Sequence, residues 1–148
     1  MKVKEIMTKK VITLSLDDKV DKLFFLFNFE NIRHVPVVSA KGELLGIVSD
    51  RDLKKVLGMP RRQIERPDGS RFTLSTRKIR TIMRRQPYTI GPEANAADAA
   101  ALMAKRKIGA LPVVNKGKLV GIITSTDILR AFVKLSKLVE PFTQTGSI

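Results

Sequence analysis

Apolar residues fall along this chain in short runs whose spacing switches between helical and extended, and the same order occurs twice. In the first half a short helical turn (VKEIM) leads into an extended segment, Val11–Leu14. Asp17 and Asp18 then give a polar, acidic start to a helix over Val20–Asn31. Val20, Leu23, Phe24 and Phe27 recur at three- and four-residue intervals, the spacing of a buried helical stripe. Phe25, Leu26 and Phe29 lie off that stripe, so the helix is apolar nearly all round. Two short strands follow, HVPVV and LLGIVS, joined by turn chemistry at Ala40-Lys41-Gly42, and a closing helix spans Asp52–Leu57.

The second half repeats the plan: KIRTIM, an extended Pro87–Ile90, and Glu93 ahead of a helix over Asn95–Lys107. That helix uses Ala96, Ala99, Ala100, Leu102 and Met103, which are smaller or better helix formers. LPVV and LVGIITS flank Asn115-Lys116-Gly117, and a last helix runs Asp127–Leu138, amphipathic through Leu129, Phe132 and Val133. The tail after Pro141 reads as disordered. Shifted by 76 positions, Ile6, Met7, Thr13, Leu26, Ile32, Pro36, Val37 and Val38 fall on identical residues. With one residue dropped near Ala40, so do Lys41, Gly42, Leu44, Gly46, Ile47 and Asp52. Such a duplication predicts an α+β body of two βαββα units, pseudo-twofold, with paired clefts where the copies meet. The parts are repeat 1 (1–58), a basic connector (59–78), repeat 2 (79–139) and a tail (140–148).

Composition narrows the function. With no Cys, disulfides, thiolate metal sites and thiol catalysis are excluded, and one His cannot build a multi-imidazole metal centre. Charge interrupts the first twenty residues too often for a signal-peptide core. Leu23–Phe27, the longest apolar burst, is far shorter than the about 20 residues of a membrane span. A cytoplasmic location is the expectation. The net charge of +14 favours anionic partners, whether nucleotides, nucleic acid or an acidic surface. The connector holds Pro60, Pro67, Gly69 and Arg61, Arg62, Arg66 and Arg71, and is long for a link inside a compact body. It reads as an ordered excursion, a partner-docking segment or, first of all, a solvated loop.

Two stretches carry chemistry. GIVSDRD (Gly46–Asp52) and GIITSTD (Gly121–Asp127) each set a hydroxyl three residues before an Asp, between a strand and a helix. One reading is a capping box, in which hydroxyl and carboxylate satisfy free helix N–H groups. The other is a nucleotide site, in which the carboxylate accepts hydrogen bonds from a ribose diol and the hydroxyl meets a phosphate. Phosphate-cradling NTPase loops, dinucleotide fingerprints and Gly-x-Ser-x-Gly elbows are absent, and catalysis has little support.

IMTKKVITLS, NIRHVPVV and GELLGIVSDRDL, then IMRRQPYTI, KIGALPVV and GKLVGIITSTDILRAF, resemble tandem cystathionine-β-synthase (CBS) domains. Within that group the chain is most similar to the acetoin-utilisation-type CBS-pair proteins. The resemblance implies a pseudo-symmetric CBS pair (a Bateman module), commonly a homodimer, that is not an enzyme. Its implied role is sensory, binding AMP, ADP, ATP or a related compound such as NAD or S-adenosylmethionine, with no required cofactor and no metal. Carried over by motif position, one cleft takes Ser49, Arg51 and Asp52 with Met83, Tyr88, Ile108, Gly109 and Ala110. The other takes Thr124, Thr126 and Asp127 with Met7, Ile12, Ile32, Arg33 and His34. Asp52 and Asp127 are then ribose ligands, Ser49 and Thr124 phosphate ligands, and the strand residues flank adenine. Gly109 and Ala110 leave room in the first cleft, whereas Arg33 and His34 load the second with donors.

No output domain accompanies the two repeats, so a stand-alone sensor acting on an unknown effector protein is the expectation. The alternative is a basic nucleic-acid-binding protein that uses Arg61, Arg62, Arg66, Arg71, Arg77, Lys78, Arg80, Arg84 and Arg85. Against it stand one Tyr, no Trp and no recognisable stacking platform.

Overall fold

The computed structural model describes residues 1–29, 32–56, 62–65, 67–69, 71–74 and 77–145. Its elements in order are α1 (Val3–Ile6), α2 (Val20–Phe29), β1 (His34–Val38), β2 (Leu44–Ser49), α3 (Asp50–Val56), β3 (Arg62–Glu65) and β4 (Arg71–Leu74). A 3-10 turn (Ile79–Thr81), β5 (Arg84–Arg85), α4 (Ala96–Arg106), β6 (Ala110–Asn115), β7 (Lys118–Thr124) and α5 (Ser125–Thr145) follow.

Packing groups these elements into two compact units, residues 11–87 and residues 1–10 with 88–148. In the first unit Leu14, Val20, Leu23, Val35, Val37, Val48, Leu53 and Ile79 form the buried core. Antiparallel β1 and β2 pair with His34 opposite Ser49, and β5 adds as a third strand, with Arg84 opposite Ile47. In the second unit Val3, Ala99, Met103, Leu111, Val113 and Ile123 are buried together, beside antiparallel β6 and β7.

The segment that leads each repeat therefore packs on the body of the other repeat. Val3 donates its N–H to the Ala94 carbonyl at 2.9 Å, and Thr8 and Ile122 exchange backbone bonds of 2.8 and 3.0 Å. Lys2 and Lys4 each reach Glu93 at 2.7 Å, and their hydrogen bonds hold its carboxyl down to about 2. Being exposed, these ion pairs add little; buried Val3 is the stronger tie. In the other unit the Ile79 N–H meets the Asp18 carbonyl at 2.7 Å, and the Val20 N–H meets that of Arg77 at 3.0 Å.

Several expectations need correcting. Val11–Leu14 and Pro87–Ile90 are not strands: each makes a single parallel bridge, Leu14 with Val37 and Ile90 with Val113. On α2 the buried face turns toward Leu26 and Phe27, and Phe24 is 50% exposed. Leu23 is the fully buried centre of that face, so Leu26, one turn on, is drawn inward and Phe24 is left at the rim. Its expected end at Asn31 lies outside the described residues, as does Leu57 of the closing helix.

In the connector, β3 and β4 form an antiparallel hairpin, Arg62 opposite Leu74 and Glu65 opposite Arg71, so the ordered excursion replaces the loop. Gly69 at its tip takes φ +86°, a left-handed conformation open to glycine. Met59, Pro60, Arg61 and Arg66 of the connector lie outside the described residues. The last helix does not stop before Pro141 but runs to Thr145. Proline removes one i→i−4 bond, which a helix already four turns long can absorb.

Candidate functional site

Each Ser/Thr-x-x-Asp motif sits where a strand hands over to a helix, and the two do so alike. At the end of β2 the Ser49 N–H donates to Asp52 Oδ2 at 2.8 Å and its hydroxyl donates to the same oxygen at 3.1 Å. At the end of β7 the Thr124 N–H and hydroxyl donate to Asp127 Oδ2 at 2.9 and 3.0 Å. The Asp52 and Asp127 N–H groups return toward the hydroxyls at 3.4 Å, so the reciprocal capping pattern is present in both repeats.

Beyond that shared cap the sites differ. Thr8 lies across from Ile122 and its hydroxyl reaches Asp127 Oδ1 at 3.3 Å and Oδ2 at 3.4 Å. Asp127 is 8% exposed. Asp52 is half-buried, and among the described residues no donor reaches its Oδ1. The residue that matches Thr8 in the other repeat is Arg84, opposite Ile47 and exposed.

Around Asp52, within its own unit, stand further candidates. Half-buried His34 pairs with Ser49 across the ladder, and burial pushes its imidazole below the ordinary value, against Asp50 and Asp52. Arg33 is exposed and its guanidinium meets Asp50 at 3.3 Å, so that cation is already partly engaged. Arg51 is exposed, Ile12 is 40% exposed and Ile32 is half-buried in this unit. Met83 packs tightly on β2: a Cβ at Gly46 would stand 2.8 Å from its sulfur and 2.7 Å from the Arg84 carbonyl oxygen. Only glycine lets β5 approach so closely.

The other unit holds Met7, Tyr88, Ile108, Gly109, Ala110, Thr124, Thr126 and Asp127. Met7 lies on Gly121, where a Cβ would be 2.6 Å from its sulfur. The Gly109 carbonyl accepts from the Ser125 N–H at 3.0 Å and from its hydroxyl at 3.2 Å, which ties the start of β6 to the start of α5. Ala110 is buried, Ile108 and Gly109 are half-buried and Thr126 is exposed. Tyr88 is 44% exposed, with the Arg106 guanidinium 5.0 Å from its ring centre, inside cation–π range.

Sequence reasoning missed Thr8 and Arg106, and gave Arg84 only to the nucleic-acid-binding alternative. Thr8 and Arg84 carried a signal, since the repeats align them directly after the paired methionines. Among the described residues no helix is long and apolar enough to cross a membrane.

Comparison with known proteins places this geometry. The family model described as CBS domain matches residues 3–58 and again 79–134. A solved structure of a protein assigned to acetoin utilization (AcuB) from Vibrio cholerae is 33% identical, with a TM-score of 0.79 over 95% of this chain and 96% of that one. The CBS domain pair of protein MJ0100, in complex with 5′-methylthioadenosine and S-adenosyl-L-methionine, is 29% identical, TM-score 0.75, over 90% and 97%. CBSX2 in complex with AMP is 25% identical, TM-score 0.73, over 91% and 98%. Two family matches in tandem and a fold shared along nearly the whole length place this chain in the CBS domain family, as a protein of two CBS repeats.

Proposed function

We propose that this chain is a non-catalytic sensor that binds adenosyl ligands and signals their presence to a partner protein. The observation that carries the reading is the duplicated hydroxyl–carboxylate motif, built with the same hydrogen bonds at the end of β2 and of β7. An ionised carboxylate has acceptor sites only, and a ribose diol offers two donors. Ser49–Asp52 and Thr124–Asp127 are the two candidate ribose contacts, Met83, Tyr88 and the residues at 108–110 and 32–34 the candidate adenine walls. Related solved proteins hold AMP, 5′-methylthioadenosine or S-adenosylmethionine, which supports an adenosyl ligand for this chain.

Competition binding near physiological ionic strength tests the reading. Adenosyl compounds are expected to bind more tightly than their guanosine and cytidine counterparts, and salt to weaken them moderately. A nucleic-acid binder behaves otherwise, its affinity falling with a log–log salt slope of about −0.9 per phosphate neutralised on duplex DNA. Submicromolar duplex or RNA binding at that ionic strength, with no adenosyl ligand bound, would transfer the function to Arg62, Arg71 and their basic neighbours.

Self-association through the last helix is part of the proposal. Leu129, Phe132 and Leu138 on α5 are 63%, 66% and 67% exposed, and α2 leaves Phe24 half exposed. Contiguous apolar surface of this kind marks an interface, and a second copy brings the same helix to meet it. Sedimentation at tens of micromolar is expected to give a dimer; a strict monomer there refutes the assembly.

A further inference from the structure

We infer that the two repeats are not equivalent sites: the Asp52 carboxylate is the ligand contact, and Arg84 makes it selective for adenosyl compounds that carry a 5′-phosphate. This rests on the adenosyl reading above and deepens it. The first observation is how far each carboxylate is already engaged by the chain. Both motifs spend Oδ2 on their own cap, but the Thr8 hydroxyl also lies 3.3 Å from Asp127 Oδ1 and 3.4 Å from Oδ2, and Asp127 is buried. Asp52 Oδ1 receives no donor among the described residues and the residue is only half-buried, which leaves that oxygen's acceptor capacity for a diol. A ribose at Asp127 would have to displace Thr8, whereas at Asp52 it displaces no donor to Oδ1 among the described residues.

The second observation concerns charge. Thr8 and Arg84 hold matching positions, one opposite Ile122 on β7 and the other opposite Ile47 on β2. The strand position that carries a short hydroxyl onto Asp127 in one repeat carries a long, exposed arginine in the repeat of Asp52. Among the described residues Arg84 makes no ion pair with Asp52, in contrast to Arg33, which is engaged by Asp50. An arginine of that length reaches past the carboxylate toward the 5′ end of a ribose held there. A phosphate suits its planar fork of donors; a neutral thioether gains nothing from it, and a sulfonium is repelled.

Calorimetric titration of the full chain with AMP and with 5′-methylthioadenosine tests the inference. Wild type is expected to take one AMP per chain, with affinity at least tenfold above that for 5′-methylthioadenosine. Arg84→Thr, a surface change, should lower AMP affinity about tenfold and leave 5′-methylthioadenosine within twofold. Asp52→Asn should remove the AMP equivalent while the chain still melts cooperatively. Two equal AMP sites in wild type, a full AMP equivalent retained by Asp52→Asn, or equal effects of Arg84→Thr on both compounds would each overturn it. If wild type binds 5′-methylthioadenosine but not AMP, the inference alone fails. If it binds neither these nor S-adenosylmethionine, the adenosyl reading fails with it.

Discussion

Val3→Asp is expected to unfold the unit made from residues 1–10 and 88–148, although the substitution is only at the third position of the sequence. Val3 is fully buried, in one cluster with Ala99, Met103, Leu111, Val113 and Ile123. Those neighbours offer a carboxylate no partner, and burying an unpaired charge is among the few mechanisms that cost more than about 4 kcal/mol. A domain's whole stability is roughly 5–15 kcal/mol, so the loss should appear as a collapsed or missing unfolding transition. Urea denaturation reads it directly. Lys9→Asp, in the same opening segment but exposed, changes charge by twice as much and should still stay within about 0.5 kcal/mol. If Val3→Asp melted like Lys9→Asp, the opening segment would not be part of that core.

The contrast between those two positions shows what a sequence can and cannot reveal. Periodicity identifies a buried face but not the partner that covers it. VKEIM was therefore legible as a helical turn, while its place on the second repeat's body was not. The α4 helix was nearly complete in the sequence, because its ends carry local chemistry. Asn95 caps it by accepting from the Ala97 N–H at 3.0 Å, and Lys107 closes it in the left-handed region at φ 54°. Where no local signal exists, the reading failed: β3 and β4 are four residues each, and their arginines and polar positions look like loop. The rotation of α2 was ambiguous for the opposite reason, since apolar residues surround it and any face satisfies the pattern.

At the candidate site the motifs themselves were plain, and both alternatives read from them have physical substance. The capping bonds are present in both repeats, and they differ in whether a further donor among the described residues reaches the carboxylate. That distinction depends on Thr8, 119 residues from Asp127. No local spacing rule spans such a separation; the repeat alignment could have flagged it, because threonine and arginine at matched positions cannot do the same work.

A thermal titration of the purified chain with AMP, near physiological ionic strength, bears most directly on the claim that this is an adenosyl sensor. A ligand that binds only the folded state adds RT ln(1 + [L]/Kd), about 2.7 kcal/mol at a hundred times Kd. For a chain of 148 residues this corresponds to a rise in Tm of roughly 5–10 °C. The effect should saturate with concentration, and cytidine monophosphate, which carries the same phosphate charge, should give little of it. The account predicts that rise with AMP and its absence with the cytidine nucleotide. An unchanged Tm with AMP, 5′-methylthioadenosine and S-adenosylmethionine alike, or an equal rise with the cytidine nucleotide, would contradict it.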